Sequence, residues 1–260
     1  MSWRLGVVGS PIAHSLSPRL HQAGLALAGL EGSSERLELG EHDALELRNL
    51  MGARFDALSV TMPLKSAATP LCDSLDVVAE RTGIVNSLLA RDGGISGANT
   101  DGRGFVNALE AEFSFSPRER RVVILGAGGA AHGIVDALVH GGVESVTVLG
   151  RSLANVDSLT SRYDNVFDHF HQPGPTDLVV NATPAASRPL ARELVIGVHE
   201  ATIAVDIAYD PTLTPWRSLY EEAGCRTTNG LGMLAYQAAL QMTWWFDTSI
   251  DGAALLEVLR

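Results

Sequence analysis

The feature that most constrains this chain is the run Gly126-Ala127-Gly128-Gly129-Ala130-Ala131. It stands between a short apolar segment, Val122–Leu125, that reads as a strand and a segment, Ala130–His140, that reads as a helix. The run fits G-x-G-x-x-A, and the strand before it and helix after it are the context the pattern requires. Gly126 permits a tight turn, Gly128 lets backbone approach a pyrophosphate, and Ala131 is small enough for close helix–strand packing. The start of the helix then offers free N–H groups and a partial positive charge to phosphates. The next strand, Ser145–Leu149, ends in Gly150-Arg151-Ser152. An acidic residue there would bind the ribose 2′-hydroxyl of NAD, whereas a guanidinium suits a 2′-phosphate. Arg151 therefore predicts NADP(H) as the cofactor. The plain alternative is a Gly-rich turn followed by a solvated Arg.

Strand-like and helix-like patterns alternate along the whole chain, which predicts an α/β fold. In the first half, Leu5–Val8, Ala57–Met62, Ile84–Ala90 and Gly94–Ala98 read as strands. Helices are predicted from Ser17 to about Gly29, with Ser17 as N-cap and Pro18 as first helical residue, and over Asp76–Arg81 and Asp101–Phe113. Phe115–Arg121 is polar, carries Pro117, and reads as a linker. Beyond it, Val122–Leu125, Ser145–Leu149, Asp177–Asn181 and Thr202–Ile207 read as strands of repeated β-α-β units, implying a parallel sheet with helices on both faces. The chain closes with two helical segments, Leu231–Phe246 and Asp251–Leu259.

With 260 residues, 46% of them hydrophobic, the chain has room for two small domains with real cores. Its net charge of −11 opposes binding to nucleic acid or anionic membranes. No stretch is apolar for long enough to span a membrane, and the apolar run Leu5–Val8 is too short for a signal segment. The two cysteines, Cys72 and Cys225, form no CxxC and read as reduced thiols. A cytoplasmic enzyme with a small-molecule substrate, monomeric or homodimeric, is the expectation.

Three segments of the first half and its surroundings bear chemistry. Ser59-Val60-Thr61-Met62-Pro63-Leu64-Lys65 puts a lysine just past a strand, and Asn99-Thr100-Asp101-Gly102-Arg103-Gly104 puts an aspartate at a helix start. Ser10-Pro11-Ile12-Ala13-His14-Ser15-Leu16-Ser17-Pro18 places hydroxyls at another helix start, where a carboxylate could sit. Each has a plain explanation on its own: a solvated lysine, an N-cap aspartate, a capping serine. Asp168-His169-Phe170-His171 lacks further ligands at finger-like spacing and reads as a surface loop, with no metal. Trp244, Trp245 and Phe246 end an apolar helix and read as packing residues.

Taken together the segments resemble one family, in order and over nearly the whole length. GSPIAHSLSP, SVTMPLK, IVNSL, ANTDGRG, GAGGAA, GRS, NATP, DIAYDPTLTP and NGLGMLAYQAA are similar to the motifs of shikimate dehydrogenases. The resemblance implies a substrate-binding and catalytic domain over residues 1–101, joined by C-terminal helices from about 232 to 260, and a Rossmann-type doubly wound NADP-binding domain over 102–231. It implies reversible, NADPH-dependent reduction of 3-dehydroshikimate in aromatic amino acid biosynthesis. Lys65 would be the acid–base group, paired with Asp101. Ser15, Ser17 and Tyr209 would hold the substrate carboxylate, and Thr61, Asn86, Asp101 and Gln237 the ring hydroxyls. The cofactor would lie against Gly126, Ala127, Gly128, Gly129, Ala130, Ala131, Arg151, Ser152, Asn181, Ala182, Thr183, Gly230 and Met233. The chemistry agrees, because reducing a ketone needs a proton for the developing alkoxide and an ammonium can both stabilise that oxygen and supply it.

The chain departs from the family pattern in places: SVT stands for NVT, VNS for VNT and GRS for NRT, no second basic residue follows at 153–155, and NATP continues as Ala185-Ala186-Ser187. Two other readings are a quinate/shikimate dehydrogenase using NAD and a non-catalytic ligand-binding relative. The first tends to have Thr or a larger residue at position 17 and an acidic residue at 151; the second would lack Lys65 or Asp101.

Overall fold

The computed structural model describes residues 2–169, 174–183, 198–209 and 214–260. Along the chain come β1 (Trp3–Gly9), α1 (Ser17–Leu27), β2 (Gly32–Glu38), α2 (Glu46–Leu50), β3 (Ala57–Val60), β4 (Ser74–Leu75) and α3 (Val77–Thr82). Then follow β5 (Ser87–Arg91), β6 (Gly94–Ala98), α4 (Asp101–Phe113), β7 (Arg121–Leu125), α5 (Gly129–His140), β8 (Ser145–Leu149) and α6 (Leu153–Thr160). The last are β9 (Val166–Phe167), β10 (Leu178–Asn181), β11 (Ile203–Asp206), α7 (Pro215–Glu222), β12 (Arg226–Asn229), α8 (Leu231–Phe246) and α9 (Gly252–Leu259). The chain divides into two compact units, Met1–Phe105 with Leu234–Arg260, and Val106–Met233. Both divisions fall inside helices, α4 and α8. The polar segment read as a linker is a connection within the second unit; Phe115 is buried there and Arg121 already belongs to β7.

The first unit is built on a six-stranded sheet in the order β2-β1-β3-β5-β6-β4. β1 runs parallel to β2 and β3, while β5 is antiparallel to β3 and β6. The β5–β6 hairpin turns at Asp92-Gly93, both at positive φ (54° and 79°), the conformation an Asp-Gly hairpin turn favours. Successive residues of a strand face opposite sides, and β3 shows it. Leu58 and Val60 join Phe55, Leu64 and Leu88 on one side. Ala57 joins Leu5, Leu20, Leu89 and, from α8, Ala235, Ala238, Ala239 and Met242 on the other. Ser59 and Ser87, paired across β3 and β5, belong to that second side by alternation, and Trp245 Nε1 donates to Ser87 Oγ at 2.8 Å. Trp245 and Phe246 are thus core residues of this unit.

The predicted N-cap at Ser17 is not what forms. Leu16 caps α1 with helical backbone angles (φ −88°, ψ −3°) and no side-chain cap, so the helix starts one residue sooner and Ser17 is its first residue. The Ser17 hydroxyl is thereby free of capping. The strand expected to reach Met62 ends at Val60, and that expected from Ile84 starts at Ser87.

The second unit has a six-stranded sheet, β12-β11-β10-β7-β8-β9, in which every pairing is parallel. Starting at β7 the chain winds outward through β8 and β9, then returns to β10 and winds the other way. This is the Rossmann-type doubly wound arrangement, with its switch point at the carboxyl ends of β7 and β10. Trp216 and Tyr220 of α7 cover Val123, Leu125, Val179 and Ala204. Val122 and Ile124, facing the other way, are also buried, as a parallel sheet covered on both faces requires. Among the described residues no helix is long and apolar enough to cross a membrane.

Gly104 shows how closely α4 and α8 meet in the first unit. A Cβ built there would lie 2.5 Å from the Gln237 nitrogen and 2.6 Å from its Cα. Those are backbone atoms that cannot swing aside, and forcing extra atoms into such a contact costs about 1–3 kcal/mol. We expect Gly104→Ala to unfold at a lower temperature by circular dichroism; an unchanged melting curve would mean that the helices separate freely.

Candidate active site

The chemical centre of the first unit lies past the ends of β3 and β6. The chain leaves β3 at Val60, and Thr61 is tied to β1 by its N–H to the Val8 carbonyl (2.9 Å). Leu64 N–H bonds back to the Thr61 carbonyl (2.9 Å), closing a turn that delivers Lys65. Val85 N–H to the Lys65 carbonyl (3.0 Å) holds that residue beside the segment leading into β5. Asp101 opens α4 directly after β6, its N–H bonded to Asn99 Oδ1 at 3.1 Å.

The two side chains meet. Lys65 Nζ donates to Asp101 Oδ2 at 2.5 Å, and their side chains are only 15% and 4% exposed. The second oxygen, Oδ1, accepts from Asn86 Nδ2 at 2.8 Å. Asn86 Nδ2 also lies 3.0 Å from Thr100 Oγ1 and 3.3 Å from Gln237 Oε1. Lys65, Asn86, Asp101 and Gln237 are therefore one cluster, gathered from the β3 exit, the β5 entry, α4 and α8. Thr61 sits half-buried four residues before Lys65.

Ser15 and Ser17 form a separate pair at the start of α1. Ser15 Oγ lies 3.2 Å from Ser17 Oγ and accepts from the Ser17 N–H at 3.3 Å. Arg36 of β2 clamps this loop, donating through Nε (2.9 Å) and Nη2 (2.7 Å) to the Ser15 carbonyl. Sequence reasoning missed Arg36, because β2 itself is a polar edge strand without the apolar pattern that marks strands. It also gave no role to Thr100, which touches both Asn86 and Gln237.

In the second unit Gly126 has φ +104°, and a Cβ there would meet the Ala182 carbonyl oxygen at 2.8 Å. Only glycine fits this turn. Its N–H bonds to the Leu149 carbonyl (2.7 Å), so the end of β7 and the end of β8 lie side by side. Gly128 is the N-cap of α5, with no side-chain cap and open space where a Cβ would be. The first-turn N–H groups are thus left for a ligand, as in a phosphate-binding turn. Ala127 and Ala131 are buried, Gly129 and Ala130 half-buried. Arg151 is exposed just past β8, and Ser152 caps α6 by accepting from Asn155 N–H at 3.3 Å. Asn181 Oδ1 accepts from the Thr183 hydroxyl (2.6 Å) and N–H (3.2 Å), fixing the 181–183 turn at the end of β10. Gly230 packs against the Ile207 carbonyl, Met233 is buried, and Tyr209 is half-buried after β11. The exposed Gly128 turn, with a guanidinium at the end of the neighbouring strand, fits a phosphorylated dinucleotide.

The comparisons with known proteins follow this division. Residues 7–88 match the shikimate dehydrogenase substrate binding domain, and residues 109–218 match the shikimate / quinate 5-dehydrogenase family. The chain belongs to the shikimate dehydrogenase family. A shikimate dehydrogenase (NADP(+)) of Methanopyrus kandleri is 35% identical over 98% of this chain and 96% of its own length. That of Xanthomonas campestris pv. campestris is 38% identical, covering 99% of this chain and 95% of its own. The crystal structure of shikimate 5-dehydrogenase from Thermus thermophilus in complex with NADP(H) and shikimate superposes with a TM-score of 0.86 at 33% identity, over 98% of both chains. In this member of the shikimate dehydrogenase family, Ser15, Ser17, Thr61, Lys65 and Asn86 fall in the first matched range, and Gly126, Arg151, Asn181 and Tyr209 in the second. Asp101 and Gln237 lie outside both ranges and are joined to the cluster by geometry.

Asp168 and His169 form an exposed pair at 2.6 Å; His171 lies outside the described residues. Among the described residues no group of three or more His, Cys, Asp or Glu could hold a metal. Cys72 and Cys225 are both free, and burial pushes the Cys72 thiol up to about 11.

His21, on α1 behind the cluster, is fully buried, and burial pushes its pKa from the ordinary 6.5 down to about 3. The unfolded chain binds a proton at His21 that the native state refuses between those values. Stability therefore falls as the pH drops through this window, by up to ~1.4 kcal/mol per pH unit from this one group, and is fully restored above it. Thermal unfolding followed from neutral pH to mild acid should show a steeper fall for the wild type than for His21→Gln; parallel curves would remove His21 as the cause.

Proposed function

We propose that the protein is an NADP-dependent shikimate dehydrogenase of the cytoplasm, catalysing the reversible reduction of 3-dehydroshikimate to shikimate in aromatic amino acid biosynthesis. The observation that carries this reading is the nearly buried Lys65–Asp101 pair at 2.5 Å with Asn86 on the second carboxylate oxygen. It stands in a chain whose family is established over nearly its full length. The first unit holds shikimate and the second the cofactor, which supplies the hydride that adds to the ketone carbon. The Lys65 ammonium stabilises the alkoxide oxygen as charge builds there and gives it a proton. Asp101 keeps the ammonium in place and, with Thr61, Asn86 and Gln237, receives the ring hydroxyls. Ser15 and Ser17 hold the carboxylate, with the loop set by Arg36; Tyr209 is assigned to the same carboxylate on its motif alone. Gly126 to Ala131, Asn181 to Thr183, Gly230 and Met233 line the cofactor, and Arg151 with the N–H groups at the start of α6 meets the 2′-phosphate.

The deciding assay follows NADPH absorbance with 3-dehydroshikimate, with 3-dehydroquinate and without substrate, and NAD reduction with quinate. Consumption with 3-dehydroshikimate alone is expected; equal use of quinate and NAD would favour the quinate reading. Lys65→Ala should lower kcat by roughly 10²–10⁴-fold, the usual size of an acid–base contribution, while substrate binding survives in part. Turnover within a few-fold of wild type would take Lys65 out of the mechanism.

The preference for NADPH over NADH should be about one to two decades, from one charge-assisted contact of about 1.5–3 kcal/mol at Arg151. Arg151→Ala should bring kcat/KM for NADPH down towards that for NADH, mostly through KM, and leave the shikimate KM unchanged. A mutant that keeps the full preference would place the 2′-phosphate elsewhere.

A further inference from the structure

Behind the Lys65–Asp101 pair runs a continuous row of buried polar side chains. Gln241 Nε2 donates to Gln237 Oε1 at 2.8 Å and to the Asn86 carbonyl at 3.0 Å. Gln241 Oε1 accepts from Ser59 Oγ at 2.6 Å. Ser59 Oγ lies 3.0 Å from His21 Nε2, and His21 Nδ1 lies 2.7 Å from Ser34 Oγ. His21, Ser59, Asn86, Gln237 and Gln241 are each at most 7% exposed. Among the described residues no buried side-chain nitrogen or oxygen lacks a partner.

Counting hydrogens gives the row one direction. If the Gln241 amide were turned over, its oxygen would face two other oxygens, those of Asn86 and Gln237, so the nitrogen must point that way. The Ser59 hydroxyl has a single proton, and it goes to Gln241 Oε1. Ser59 Oγ must then accept from His21, which makes His21 the Nε2–H tautomer and leaves Nδ1 to accept from Ser34. Burial, which holds the His21 pKa near 3, keeps the ring neutral, and with the proton on Nε2 the bare Nδ1 is the acceptor. At the other end, Gln237 Oε1 is committed to the row, and one hydrogen of its Nε2 goes to the Leu234 carbonyl at 2.9 Å. The remaining hydrogen is the one Gln237 can offer a ligand.

We infer that Gln241, Ser59 and His21 are positioning residues, which act through Gln237 and Asn86 to fix the amide orientations that receive substrate and hold Asp101 beside Lys65. None of the three needs to touch the substrate. A buried polar row is a poor source of net stability compared with apolar packing of the same volume, and a partly satisfied one is worse. Its effect here is selective. It makes Gln237 a donor towards the ligand, and Gln237 Oε1 joins the Thr100 N–H, which bonds Asn86 Oδ1 at 2.9 Å, in keeping the Asn86 nitrogen on the Asp101 side. The inference rests on the proposed dehydrogenase reading.

The test measures kcat and KM for shikimate, KM for NADP and the melting temperature for wild type, Lys65→Ala, Gln241→Met, Gln241→Glu, His21→Leu and His21→Gln. Rates are referred to the fraction of folded enzyme. Gln241→Met keeps volume but removes both donors, and Gln241→Glu puts an oxygen where the donor stood. Each should lower kcat/KM for shikimate by roughly ten-fold or more, as expected for losing a buried hydrogen bond that orients the site, with KM for NADP within two-fold. His21→Leu should show a similar loss, and His21→Gln, whose amide can still donate to Ser59, should recover most of it. Variants that melt earlier but retain wild-type shikimate parameters per folded molecule would overturn the inference, as would His21→Leu and His21→Gln behaving alike, or an equal rise in KM for NADP. A wild type that does not oxidise shikimate would sink the underlying reading and this inference with it. An active wild type with a dead Lys65→Ala and unaffected Gln241 variants would sink the inference alone.

Discussion

A carboxylate that is nearly removed from water must have both its oxygens answered, and the first unit is arranged around that demand at Asp101. An ammonium answers one oxygen and an amide the other. Burying such a pair gains little net stability, since desolvation offsets most of the attraction. What it does provide is a fixed position for the ammonium. Three pieces of chain have to converge for this, and the sheet brings them together. β3 and β5 pair with Ser59 opposite Ser87, which sets Val60 N–H on the Asn86 carbonyl at 2.8 Å. Asn86 N–H in turn bonds to the Ala98 carbonyl at 3.0 Å, just before α4 begins. Sheet register thus dictates side-chain register in the cluster. The requirement then spreads outward, because an amide buried beside a carboxylate needs partners of its own, and α8 supplies them with Gln237 and Gln241.

The second unit solves a different problem with backbone rather than side chains. A dinucleotide is long and polyanionic, and the switch point of the doubly wound sheet presents a turn and a helix start to it. The constraint is space: nothing stands over Gly128, while the Ala182 carbonyl closes in on Gly126. A side chain at either place would fill the cradle or break the turn. The pairing of Leu125 with Leu149 then puts Arg151 at the same edge of the sheet as the Gly-rich turn. On the proposed reading, this parallel register is what brings the Gly-rich turn and Arg151 to the same ligand.

How much of this could be read beforehand depended on whether the signal was local. α4 and α8 were legible to their end residues, because each carries a long apolar pattern. β2 was not. Its sequence, Gly-Ser-Ser-Glu-Arg-Leu-Glu, is that of an exposed edge strand and pairs only with β1. α2 is too short to show a period, whereas α7 does carry start signals in its Thr214 N-cap and Pro215. The Ser17 cap failed because the backbone of Leu16 had already turned helical, which composition does not reveal. Lys65, Asn86, Asp101 and Gln237 are expected together only through the family resemblance, since each short motif has a plain explanation on its own. The row behind them carries no such signal, since Ser59 and Gln241 are 182 positions apart and neither residue is unusual on its own. Only the i, i+4 spacing of Gln237 and Gln241 was available as a hint, and it needed the sheet face to give it meaning.

The chain carries a net −11, yet on the proposed reading both its ligands are anions. A field of that sign weakens any general attraction, so affinity has to come from donors at contact distance, where local dipoles outweigh distant charges screened over roughly 8–10 Å. The structure concentrates such donors. The hydroxyls of Ser15 and Ser17 stand at the start of α1, with Arg36 on the carbonyl next to them. The first turn of α5 has no side-chain cap to compete for its N–H groups. The Lys65 ammonium is set between elements rather than on the surface. An acidic exterior with donors gathered at a few places favours ligands whose charged groups reach those donors, and it disfavours nucleic acid, which must lie along the surface.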